Sequence, residues 1–98
     1  MPYLVETFDK PASGALREQL RPEHLNFLDA HRHILLACGA KLSDDGESAD
    51  GGIYLLDVDT RGEAEEFIAQ DPFTRGDLFE RVEVRRWRKA YLAGERFI

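Results

Sequence analysis

One cysteine, one tryptophan and one methionine stand among 98 residues, and prolines number only four. Cys38 has no partner in its own chain, so an intrachain disulfide is excluded and a cytoplasmic address is expected. Basic residues are outnumbered. Thirteen Lys and Arg against nineteen Asp and Glu leave a net charge of −6, which argues against a nucleic-acid partner. No apolar run approaches the roughly 20 residues that cross a bilayer, so no membrane partner is expected. The opening Met1-Pro2-Tyr3-Leu4-Val5-Glu6 has neither the basic segment nor the apolar core of a signal peptide. Repeats, linkers and low-complexity tracts are absent too, and the length suits one domain spanning 1–98.

What is present fits a globular fold, with 43% apolar and 33% charged residues. Tyr3 to Phe8 is short and β-rich, and Asp9-Lys10-Pro11 ends it. Ser13 is a candidate helix cap. Leu16, Leu20, His24, Phe27, Leu28 and His31 follow at helical spacing, with Pro22 expected to start the main helix after a shorter turn. Ile34 to Ala40 reads as a strand buried on both faces. Ser43 to Gly52 is polar and rich in Asp and Gly, as a hairpin connection should be, and Ile53 to Val58 is the next strand. Thr60 and Glu63 form a capping box for a helix that buries Ala64, Phe67 and Ile68 and stops before Asp71-Pro72. A turn at Phe73 to Gly76 leads to a last strand, Phe79 to Trp87.

The order β-α-β-β-α-β predicts an α+β, ferredoxin-like antiparallel sheet with both helices on one face. The middle strands are apolar at successive positions, Ile34-Leu35-Leu36 and Ile53-Tyr54-Leu55-Leu56. One-sided burial would produce alternation, so a second copy is expected to cover the other face as a homodimer. The two helices are expected to run parallel. His24 and Asp71 each lie eleven residues past their caps, Ser13 and Thr60, and should meet at equal depth.

An imidazole and a carboxylate are the parts of a proton-transfer dyad. Taken alone, His24 is more simply a helix histidine packed beside Phe27, and Asp71 the stop of an Asp-Pro turn. His31 lies two turns beyond His24, too far to share a metal ion, and no metal site is expected. His31 and His33 suit a helix C-terminus. Cys38 reads as an inert core residue. Arg85, Arg86, Arg88 and Lys89 read as a charged edge strand, and the acidic hairpin as a solvated loop. Tyr3, Phe8, Tyr54, Phe73 and Trp87 are candidate pocket walls.

Arg21-Pro22-Glu23-His24-Leu25, Cys38-Gly39, Asp71-Pro72-Phe73, Gly76 and the ending Val82-Glu83-Val84-Arg85-Arg86-Trp87 follow one another in an order that resembles the YciI-like (YCII-related) family. The resemblance implies a ferredoxin-like protomer, a dimeric α+β barrel, and an active site built on His24 and Asp71. Arg21, Phe73, Tyr54 and Trp87 are the expected substrate-binding residues. The chain departs from the family at the pocket rim: the turn at Ala30 to Ile34 is short and lacks a glycine, and Ala40 replaces a common proline. Related barrels include isomerases and dehalogenating lyases of aromatic breakdown. The expected function is a cofactor-free enzyme that moves a proton on a small aromatic or lactone-like substrate. The alternative is a dimeric module that binds a small metabolite without turnover; a plain structural dimer is a third.

Overall fold

The computed structural model describes residues 1–98. Six strands and three helices follow one another as β1 (Tyr3–Asp9), α1 (Gly14–Ala30), a 3-10 turn (Arg32–Ile34), β2 (Leu35–Leu42), β3 (Ala49–Leu56), α2 (Arg61–Gln70), α3 (Pro72–Arg75), β4 (Phe79–Arg86), β5 (Tyr91–Leu92) and β6 (Glu95–Arg96). The first four strands form one antiparallel sheet in the order β2-β3-β1-β4, the ferredoxin-like arrangement. The last two form a hairpin turned by Ala93 and Gly94, both at positive φ. None of the helices is long and apolar enough to cross a membrane.

Helix α1 is continuous through Pro22. The expected break does not occur, because one missing i→i−4 bond is tolerated in a seventeen-residue helix held by packing on both sides of it. Ser13 precedes α1, but its hydroxyl turns to the Pro11 carbonyl and leaves the helix without a side-chain cap. At α2 the capping reading holds: Thr60 Oγ1 accepts the Glu63 N–H at 3.2 Å and donates to the Glu63 carboxylate at 3.1 Å.

Strand β3 begins at Ala49, so Gly51 and Gly52 belong to the sheet and not to the hairpin connection. A β-carbon at Gly51 would collide with the Thr7 carbonyl of β1. The glycine therefore serves a close backbone approach, not a turn. Gly76 has a similar reason: a side chain there would strike Leu20 of α1.

Topology corrects the expected helix directions. Strands β1 and β2 are both antiparallel to β3, so they run the same way and α1 runs against them. Strands β3 and β4 run the other way, so α2 is antiparallel to α1. Counting equal depth from the two caps therefore does not bring His24 and Asp71 level. They meet because Asp71 lies just past the end of α2, where α3 turns the chain against α1.

The core lies between the sheet and the helices. Tyr3 and Val5 of β1 and Tyr54 and Leu56 of β3 pack with Val58, Ala64, Phe67 and Ile68. Alternate residues of the same strands, Leu4, Glu6 and Phe8 with Ile53 and Leu55, lie on the opposite face and remain partly or fully exposed. Within one protomer the large side chains that β3 buries, Tyr54 and Leu56, lie on one face only, and the edge strand β2 buries no residue. That open face is also less uniformly apolar than its sequence suggests. Lys41 pairs with Glu6 at 3.3 Å, and Lys41 and Arg81 both lie over the Phe8 ring.

Candidate functional site

Proline 72 disfavours helical dihedrals at the residue before it, and Asp71 is extended, with φ −61° and ψ 131°. This stops α2 and makes Asp71 the N-cap of α3, whose first position Pro72 fills. The carboxylate is 0% exposed and accepts from three elements. The Phe73 N–H donates to Oδ1 at 2.8 Å and the Tyr54 hydroxyl donates to Oδ2 at 2.8 Å. The third partner is His24 Nδ1, 2.8 Å from Oδ1 and 3.0 Å from Oδ2.

These contacts assign the imidazole tautomer. An ionised Asp71 carries no hydrogen and can only accept, from the Phe73 amide, the Tyr54 hydroxyl and the ring alike. Nδ1 then carries the hydrogen, and Nε2 is the ring nitrogen left free. The ring is clamped from the side as well: Phe73 stacks on it with centroids 3.8 Å apart and planes 13° apart. Tyr54 meets it edge-on at 6.3 Å. Burial first, and then the Asp71 charge, push the Tyr54 phenol well above the ordinary tyrosine range. Its hydroxyl therefore keeps its proton and remains a donor.

His24 and Phe73 open onto a cavity of about 210 Å³ between α1 and the sheet. Arg17, Arg21, His24, Leu25 and Leu28 form its helical wall, at the i, i+4, i+7, i+8 and i+11 spacing of one helix face. Thr7, Cys38, Gly39, Ala40, Gly52 and Tyr54 form its floor. Small residues at 39, 40 and 52 are what leave the space. Arg17 is anchored: it pairs with Asp9 at 2.8 Å, donates to the Gly51 carbonyl at 3.3 Å and lies 4.8 Å from the Phe73 ring centroid.

The sequence-predicted residues divide. His24, Asp71, Tyr54, Phe73 and Arg21 come together here. Trp87 does not: it lies in a separate depression with Met1, Arg86 and Arg88. Tyr3 belongs to the core, and Phe8 sits on the open face under Lys41 and Arg81. Cys38 is not a core residue. It is exposed at the cavity floor of the single chain, yet its thiol is desolvated enough, with the Asp71 charge adding to this, to be pushed up to about 11. Arg17 and its anchor Asp9 escaped sequence reasoning. The signal was available in the 17-21-24-28 spacing. No group of three His, Cys, Asp or Glu side chains converges as a metal site would require.

The YCII-related domain model matches residues 1–88. The chain belongs to the YCII-related domain family. Only the terminal hairpin of this YCII-related protein lies beyond the matched segment. Its fold is similar to that of 5-chloro-2-hydroxyhydroquinone dehydrochlorinase (TftG) of Burkholderia phenoliruptrix, whose structure holds 2,5-dihydroxybenzoquinone. The two chains are 26% identical, the match covers 90% of this chain and 94% of the other, and the TM-score is 0.83. A protein of Agrobacterium tumefaciens shares the fold at 15% identity, with 95% and 98% of the chains covered and a TM-score of 0.54. An Arabidopsis thaliana protein shares it at 12% identity, with 94% and 89% covered and a TM-score of 0.52. No curated protein matches the chain by sequence.

Proposed function

We propose that the protein is a small enzyme, working without a cofactor, in which His24 transfers a proton on a small aromatic or lactone-like substrate. The observation that carries the reading is the His24–Asp71 contact at 2.8 Å, which occupies Nδ1 and leaves Nε2 free at a cavity. In this role Asp71 orients the ring and stabilises its cation. Nε2 takes a proton from a ring hydroxyl and returns one to carbon or to solvent. Tyr54 and Phe73 hold the pair, and Arg21 binds substrate. The likeness to an enzyme named for a chlorinated hydroxyhydroquinone supports an oxygenated aromatic ring as substrate.

The working form in this proposal is a cytoplasmic homodimer. Leu4, Ile53 and Leu55 leave an apolar strip on the sheet face away from the helices, and a second copy covers it. A stable interface of this kind buries about 2,000 Å² or more. A stable monomer in sedimentation at micromolar concentration contradicts the dimer.

Turnover of chlorinated and hydroxylated hydroquinones and of small lactones, with His24→Gln beside the native protein, tests the chemistry. Native turnover that falls about 100-fold or more in the variant supports the reading. Native turnover that the variant retains removes His24 from it. Tight binding of these compounds without any turnover supports a binding module instead.

A further inference from the structure

We infer that the ligand of this cavity is a single-ring aromatic anion, and that Arg21, set beside the anchored Arg17, selects for its negative charge. This rests on the cavity being the ligand site proposed above and goes beyond it by naming the substrate's charge and size.

Arg17 is neutralised by Asp9, whose side chain is only 4% exposed, and a further N–H is spent on the Gly51 carbonyl. It is a fixed wall. Arg21, one turn along the same face, lines the cavity with no ion-pair partner and no side-chain hydrogen bond. Asp9 is committed to Arg17, and Asp71, enclosed behind His24 and Tyr54, is already met by three donors. An unpaired guanidinium therefore stands at the mouth of a cavity in a chain of net charge −6. An oxyanion on the ligand is the partner that matches its planar fork.

An engineered apolar cavity of about 150 Å³ holds benzene. About 210 Å³, partly open to solvent, matches one ring with a few substituents more closely than two fused rings. The helix wall is graded to match. Arg17 and Arg21 stand toward its N-terminal end, Leu25 and Leu28 toward the other, and His24 lies between. A ring lying against the leucines with its charged oxygen toward Arg21 presents its edge to the imidazole.

Calorimetric titration with 4-hydroxybenzoate, its uncharged analogue 4-hydroxybenzamide and the two-ring 6-hydroxy-2-naphthoate tests this on the native protein, Arg21→Gln and Arg88→Gln, the last in the separate depression beside Trp87. The native protein is expected to prefer benzoate over benzamide by about tenfold or more, a difference of about 1.4 kcal/mol. Arg21→Gln should reduce that preference to about twofold, while Arg88→Gln, which removes the same charge elsewhere, keeps it. Naphthoate should bind about tenfold more weakly than benzoate. Equal binding of benzoate and benzamide by the native protein overturns the charge assignment. So does a preference that survives in Arg21→Gln or vanishes in Arg88→Gln. Naphthoate binding as tightly as benzoate overturns the size assignment. These results are independent of turnover: a charge preference without catalysis upholds the inference and counts against the enzyme, and turnover of uncharged phenols without a preference does the reverse.

Discussion

Replacing Tyr54 by Phe removes one oxygen and nothing else from the core. The ring still packs edge-on against Phe67 at 6.1 Å and against His24 at 6.3 Å. What disappears is the 2.8 Å donor to Asp71 Oδ2. Of three donors to a carboxylate with no exposed surface, two remain. A hydrogen bond to a charged group contributes about 1.5–3 kcal/mol, and the loss here is expected in that range because no water replaces the hydroxyl without a route to the buried oxygen. At about 2.1 cal/mol/K per residue, a domain of this length loses about 5 °C for each kcal/mol, so Tm should fall by about 7–15 °C. Calorimetry at one fixed protein concentration measures it, since assembly makes Tm concentration-dependent. Tyr3→Phe is the control. Tyr3 is also buried in the core, but its hydroxyl makes no hydrogen bond within the chain, so a change below about 0.5 kcal/mol is expected. Equal shifts in the two variants would refute the claim that Tyr54 holds Asp71.

Thr60→Ala removes the acceptor of the Glu63 N–H at the start of α2 and should cost about 1 kcal/mol, seen as a drop of about 5 °C in Tm; an unchanged Tm removes the cap from the account. Cys38, with its thiol raised from 9.0 to about 11, should react with iodoacetamide at pH 8 about 100-fold more slowly than an unfolded cysteine. The folded value lies above the unfolded one, so the contribution to stability is fully present below pH 9 and is lost as pH rises toward 11. Burial raises the Tyr54 phenol in the same sense. The urea midpoint should therefore decline through that window, and less steeply in Cys38→Ala; parallel declines contradict the thiol's part.

Local chemistry was the legible part of this chain. The Thr60–Glu63 cap, the Asp71-Pro72 stop and the β-α-β-β-α-β order were readable because each depends on residues a few positions apart. Gly51 and Gly52 misled because glycine signals a turn when only neighbours in sequence are considered. The reason for Gly51 is the Thr7 carbonyl, and a β-carbon at Gly52 would come 3.1 Å from the Gly39 carbonyl, each on another strand. Pro22 misled for a related cause: a helix packed against α3 tolerates a lost bond that an isolated one would not. The pairing of His24 with Asp71, which the family resemblance also implies, does not come from parallel helices at equal depth; it arises from the α3 turn against antiparallel α1 and α2. Trp87 is aromatic and ends a stretch that matches the family, and only the third dimension separates it from the site. Arg17 was readable from helical spacing. Its anchoring by Asp9 was not, because Asp9 lies in a different element.

The central claim is that Asp71 holds the Nδ1–H of His24 and leaves Nε2 as the atom that meets the ligand. Proton–nitrogen correlation NMR of the imidazoles, recorded with and without 2,5-dihydroxybenzoquinone, measures it directly, with His31 and His33 as internal references. The account predicts a protonated Nδ1 in the free protein and a shift at His24 Nε2 when the quinone is added. A hydrogen resident on Nε2 in the free protein, or a bound quinone that leaves Nε2 of His24 unmoved, would contradict it.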